Sequence, residues 1–141
     1  MSTLLTAIDA SASALDAQRT RMEVAISNLA NAESTSGPDG QPYRRREVVL
    51  AARPFDSSFD GATKGAVGVQ VAAVLEAQSG YRMVSDPNNP NADDNGMVAM
   101  PDVDVPEEMV DMLGAARAYQ ANLAAISLIR DTIQRALELA K

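Results

Sequence analysis

Apolar and small residues recur at the start of the chain in steps of four and three: Met1, Leu5, Ile8, Ala12, Leu15, Met22, Ile26 and Leu29, with Arg19 as the one break. Such steps make a seven-residue repeat, the pattern of a helix with one apolar stripe that seeks a partner helix. The spacing predicts a helix over 4–31, about 42 Å long at ~1.5 Å per residue. The same rhythm returns at Val105, Met109, Met112, Ala116, Tyr119, Leu123, Ile126, Ile133, Leu137 and Ala140, broken at Arg130. Asp104 as an N-cap, followed by Pro106, Glu107 and Glu108, is what a helix start prefers. A second helix is predicted over roughly 106–140, with Arg130, Arg135 and Lys141 toward its C-terminal end, where cations suit the dipole.

Between the helices the period changes to two. Turn chemistry in "STSGPDGQP" (34–42) ends the first helix. "YRRREVVLAA" (43–52) and "AVGVQVAAVLEA" (66–77) read as strands, the second alternating at Val67, Val69, Val71, Ala73 and Leu75. "GYRMVS" (80–85) and "GMVAM" (96–100) are shorter strand segments, and 53–65 is expected to be a loop. The predicted architecture is α+β: long terminal helices pairing as a coiled-coil-like α unit around a small β-rich middle. Its expected divisions are 1–33, 34–104 and 105–141.

Composition narrows what such a chain does. There is no His and no Cys, which removes imidazole general bases, thiol nucleophiles, disulfides and the usual zinc ligand sets. No catalytic or cofactor-binding residue suggests itself. A formal charge of −7 argues against nucleic acid as a partner. No segment approaches the roughly 20 apolar residues needed to insert in a bilayer. "MSTLLTAIDASASALDAQ" lacks a basic n-region, so export, if it occurs, is expected without a cleaved signal peptide. The aromatic share is only 4%, and an Ala-rich chain buries little area by itself.

Three sets of polar residues stand out. Asn28 and Asn31, at the end of the first helix, and Asn122 beside Tyr119 on the second either tie helices in register or merely cap and face water. Between Arg82 and Arg117 there is no basic residue but eight acidic ones, set against Arg44, Arg45 and Arg46. That contrast is either a solvated face or a contact between neighbouring subunits. Asn91, Asp93, Asn95, Gly96 and Asp102 lie loosely on a calcium-loop pattern. Asp stands where a bidentate Glu is usual, and Pro101 and the strand-like "MVAM" replace the expected exiting helix, so a turn-rich loop is the better reading and no metal site is assigned.

"SASALDAQRTRMEVAISNLANAEST" (11–35), "PYRRREVV" (42–49), "DPNNPNADDNGMVAMPDVD" (86–104) and "EEMVDMLGAARAYQANLAAI" (107–126) resemble the flagellar basal-body rod proteins, closest to the C-type proximal rod subunits. The chain departs from that pattern at Met97 and Asp102. The resemblance implies a non-enzymatic building block that passes unprocessed through type III export and self-associates in a helical tube within the basal body, across the periplasm. Implied partners are other rod proteins, the export-gate-proximal adaptor protein and the inner-membrane ring. A distal rod or hook subunit is the alternative and is expected to carry a larger middle insertion. On this reading Asn28 and Asn31 set register between helices or subunits. The expected helix–helix or subunit contacts are Leu15, Met22, Asn28, Leu29, Asn31, Arg44, Arg45, Met112, Tyr119, Asn122 and Leu123.

Overall fold

The computed structural model describes residues 2–37, 39–54 and 67–139. Helix α1 spans Ser2–Ala30 and helix α2 spans Val105–Leu139, within two residues of the predicted bounds. Between them lie strands β1 (Arg46–Pro54), β2 (Val67–Glu76), β3 (Arg82–Ser85) and β4 (Met97–Met100), again close to the period-two segments. Part of the loop expected at 53–65 belongs to β1, and its remainder lies outside the described residues.

The two helices pack along each other, and their cross-contacts fix an antiparallel sense. Asn28 of α1 meets Glu108 of α2, and Arg21, two turns earlier, lies 3.9 Å from Asp111. The seam runs through small and polar positions. On α1 the buried residues are Ala17, Ala25, Asn28 and Ala32 just beyond its end, and on α2 they are Glu108 and Ala115. Met112, Tyr119, Asn122, Ile126, Ile129 and Ile133 continue the α2 seam half-buried in strict steps of four and three. The predicted stripes sit partly one position to the side. Leu5 and Ile26, and Val105, Met109, Leu123 and Leu137, are 37–90% exposed with the other open apolar residues. Polar Asn28, Glu108 and Asn122 occupy seam positions that apolar periodicity skips. Small seam residues let the backbones approach closely, and the larger side chains are left on the flank.

Strands β1 and β2 form an antiparallel ribbon from Arg46↔Glu76 to Pro54↔Val67, with an irregularity at Val49/Leu50. The ribbon packs on α1 and makes no backbone approach to α2. Two α1 side chains hold it. Near one end the Val69 amide donates to Ser13 Oγ at 3.1 Å, and near the other Asn28 engages Arg46. Ser13 and Asn28 are about four helical turns apart. Ser13 takes the outer edge of β2, whereas Asn28 takes the outer edge of β1, so α1 crosses beneath the ribbon diagonally.

Strands β3 and β4 form a second antiparallel pair joined by the Asp- and Asn-rich segment. Val98 on β4 is fully buried, and so is Pro101 after it. The connecting loop is closed by its own polar groups. Asp93 Oδ1 accepts from the amides of Asn95 and Met97, both at 2.8 Å, and the Met97 bond holds its carboxyl below the usual aspartate range. Its Oδ1 is thus spent on backbone, and no metal-binding carboxylate group forms among the described residues. Asp104 caps α2: its side chain accepts from the Glu107 amide at 3.1 Å and its carbonyl from Glu108 at 3.0 Å.

Gly96 ends this loop at φ 72°, and a Cβ there would sit 3.2 Å from Pro87 Cγ. Gly96→Ala therefore meets left-handed strain and crowding together, and should destabilise the chain by about 1–2 kcal/mol. Gly80→Ala, where a Cβ meets nothing within 4 Å, is the control and should be neutral or slightly stabilising. Urea unfolding of the two variants measures the difference.

Candidate functional site

The polar groups of the sequence converge where the C-terminal end of α1, the start of β1 and the first turn of α2 meet. Asn28 is 1% exposed. Its Oδ1 accepts from the Arg46 amide at 2.9 Å and from the Tyr43 hydroxyl at 3.0 Å. Its Nδ2 donates to the Arg46 carbonyl and to Glu108 Oε2, both at 2.9 Å. Ala77 donates to the Arg45 carbonyl on the inner side of the ribbon, so strand alternation turns both backbone groups of Arg46 outward. The amide of Asn28 meets them as an added strand residue would.

Glu108 is 2% exposed, deep for a carboxylate. One oxygen takes the Asn28 amide and the other takes Arg45 Nε at 2.6 Å. Arg45 continues to Glu47 at 2.6 Å and reaches Glu107 at 3.5 Å. The hydrogen bond that Arg45 donates to Glu108 raises the arginine pKa above its ordinary value. Beside this group is an open cavity of about 290 Å³ lined by Arg21, Arg45, Glu47, Glu107 and Asp111 among others. Among the described residues no buried side-chain nitrogen or oxygen lacks a partner.

The other arginines are engaged nearby. Arg44 lies 5.4 Å from the Tyr81 ring centre and donates from Nε to its hydroxyl at 3.3 Å. Arg46 stacks 5.6 Å from Tyr43 and lies 3.9 Å from Glu76. Part of the contrast between the Arg cluster and the acidic segment is thus met inside one chain, at Arg45 with Glu107 and Glu108.

Asn31 and Asn122 behave differently from Asn28. Asn31 donates to Ser27 O at 2.8 Å and Asn122 to Ala118 O at 2.8 Å, each within its own helix or its last turn. Inside the chain neither ties one helix to the other, which corrects that part of the register expectation. Both are half-buried, and each side-chain amide folds back onto the carbonyl one turn before it instead of reaching across. Leu15, Met22 and Leu29 lie half-buried along one side of α1, and Leu123, 50% exposed, lies along the same side of α2. Met112 and Tyr119 are seam residues. The residues that sequence reasoning missed are Tyr43, Glu108 and Ser13. The only signal for Glu108 was its place one turn into an apolar-periodic helix, in step with Met112 and Ala115.

Opposite the ribbon, the helix pair has an open flank. From α1 it takes Leu5, Ala12 and Ile26 with the half-buried Leu15 and Met22; from α2 it takes Met109, Leu113, Leu123 and Leu137. The geometry is that of a surface for another helix.

Known proteins resemble the chain along its length. Residues 8–38 match the family described as flagella basal body rod protein, and residues 94–139 match the C-terminal family of the flagellar basal body rod FlgEFG proteins. The flagellar basal-body rod protein FlgC of Salmonella typhimurium is 46% identical over 136 residues, covering 96% of this chain and 97% of that one. FlgC of Aquifex aeolicus is 40% identical, with 98% of each covered, and FlgC of Bacillus subtilis is 38% identical, with 95% and 96% covered.

The junction predicts a large asymmetry between two substitutions of similar size. Asn28→Asp removes both donors and sets a second carboxylate beside Glu108. It should cost about 3–5 kcal/mol, as breaking a buried charged pair does. Ser27→Ala removes one half-buried hydroxyl contact to Tyr43 at 3.1 Å and should cost about 1 kcal/mol. Denaturant midpoints of the purified variants test the ordering.

Proposed function

The chain belongs to the flagellar basal-body rod protein FlgC family, and on that premise we propose that its open helical flank is the surface by which it builds into the rod. It is a structural rod protein of the flagellar basal body, not an enzyme, and it assembles with other rod subunits. Its place is the proximal rod. A distal rod or hook subunit is expected to carry a larger middle insertion, whereas the FlgC relatives align over nearly the whole of both chains.

One observation carries the assembly reading. The β1–β2 ribbon covers α1 alone, and a flank of both helices leaves large apolar side chains about half exposed. Exposed contiguous apolar surface of this kind is found where another protein packs. No helix among the described residues is long and apolar enough to cross a membrane, so a lipid-spanning role does not account for the flank. Another helix pair does. Stacked side by side, such pairs form a tube of helices with the ribbon and the β3–β4 pair on its outside.

The finer partners follow from the same reading. The chain leaves the cytoplasm unprocessed by type III export, and besides other rod proteins it meets the export-gate-proximal adaptor protein and the inner-membrane ring. Leu15, Met22, Leu29 and Leu123 are the contacts assigned to the flank.

Leu123→Asp tests the flank. Leu123 is 50% exposed in the single chain, so the variant should keep its helix content and its level in cells. Burying that carboxylate in an assembled rod would cost several kcal/mol, and swimming should be lost. Normal motility with the variant as the sole copy would remove the flank from the interface.

A further inference from the structure

The loop that joins β3 to β4 carries a chemically reactive pair. Asn95 is the one asparagine of the chain followed by glycine, and it is exposed. Glycine has no Cβ to hinder its own amide. In such a pair the glycine nitrogen, once deprotonated, attacks the carbonyl carbon of the asparagine side chain. A five-membered succinimide closes, and the side-chain nitrogen leaves as ammonia. Water then opens the ring at either carbonyl. One product has aspartate at position 95. The other is isoaspartate, whose main chain runs through the former side chain and is longer by one methylene. One water enters and one ammonia leaves, with no other reactant.

The folded loop opposes each step. The Gly96 amide, the nucleophile, is donated to the Asp93 carbonyl at 2.9 Å. The amides on either side of it, of Asn95 and Met97, both go to Asp93 Oδ1 at 2.8 Å. The Asn95 side chain engages the same carboxyl. Asp93 therefore holds three consecutive amides at once. Its own amide returns to the Met97 carbonyl at 2.8 Å, and the Gly96 carbonyl accepts from Asp86 at 3.0 Å. Gly96 is fixed at φ 72° by this arrangement. For the ring to close, its nitrogen must give up Asp93 and swing to the Asn95 side chain, which undoes the turn. The other asparagines are each followed by a residue that carries a side chain, so they serve as controls within the same molecule.

We propose that Asn95 is a site of self-deamidation through the Gly96 amide, and that the Asp93 clamp on residues 95–97 shuts the reaction off in the folded chain. The rate in the folded state is then the rate of the free segment multiplied by the fraction of time the loop is open. The modification also bears on refolding. Isoaspartate adds a methylene inside the span that Asp93 holds, so the three amides no longer meet one residue together. The loop then fails to close on β4, where Val98 is fully buried. A chain that stays unfolded thus acquires a lesion that the folded chain avoids. This inference stands apart from the rod-subunit reading and does not depend on it.

The full chain is held in mildly alkaline buffer, folded in one sample and unfolded in guanidinium chloride in the other. Peptide fragment masses then locate each conversion of amide to acid. In the unfolded sample Asn95 should convert faster than every other asparagine, and folding should slow it by about tenfold or more. Asp93→Ala removes the oxygen that holds the amides of Asn95 and Met97. It should raise the folded-state rate at Asn95 by about threefold or more, with helix content by circular dichroism unchanged. Asp93→Asn keeps a side-chain oxygen that accepts amides and should stay within about twofold of the parental rate. Equal rates at Asn95 in the folded and unfolded parental chain overturn the proposal, and so does faster conversion at another asparagine. A folded Asp93→Ala chain that reacts no faster than Asp93→Asn removes the clamp from it. If Asp93→Ala does not fold, the parental comparison and Asp93→Asn decide.

Discussion

The amide of Asn28 is the contact on which the other elements depend. A primary amide carries two donor hydrogens and an oxygen that accepts twice, and here every one is used: two bonds to the Arg46 backbone, one to Tyr43 and one to Glu108. No other side chain of that size does this. Aspartate has no donor, leucine has neither donor nor acceptor, and glutamine would carry the amide a carbon further from a strand edge already 2.9 Å away. Because a buried polar group must be satisfied, this one residue obliges a helix end, a strand start and the first turn of a distant helix to share one place.

The consequence is a fold held in register by polar bonds and filled by small residues. The buried apolar residues are Ala17, Ala25, Ala32, Val98, Val103 and Ala115. They bury little area each, so the hydrophobic contribution at ~25 cal/mol per Å² is modest. What small residues provide instead is close approach of α1 to α2, and that approach brings Glu108 within reach of Asn28. Glu108 in turn draws in Arg45, which ties the strand entry to α2. The anchoring is thus concentrated at one end of the helix pair. Toward the other end α2 is increasingly open, with Ile133 the last half-buried residue and Leu139 90% exposed.

Much of this was legible in the sequence. The change from a seven-residue rhythm to alternation and back located all six elements, and Asp104 marked the start of α2 because capping chemistry is local. What apolar periodicity misread was which residues form the seam. It selected Ile26, Met109 and Leu123, whereas the chain buries Ala25, Asn28, Glu108 and Ala115. Periodicity follows hydrophobicity, and two of those seam members are polar by necessity. The two asparagines three apart on α1 drew notice, but spacing did not say that one reaches across and the other bonds its own helix. That depends on what stands opposite: Arg46 and Glu108 for Asn28, and the helix's own Ser27 carbonyl for Asn31.

The same misreading points to why the flank is apolar. A residue one position off the seam gains nothing from being Ile26, Met109 or Leu123 in an isolated pair, where it stays about half exposed. If the open flank is the rod interface proposed above, it has a second helix to meet there. On that proposal two sets of apolar positions are written over each other on each helix, one for the partner within the chain and one for the neighbouring subunit. Reading them as a single stripe merges the two. Anything that binds only the folded chain adds to its apparent stability, with the logarithm of its concentration relative to Kd. A chain whose own core is small therefore gains stability from any partner that binds only its folded form.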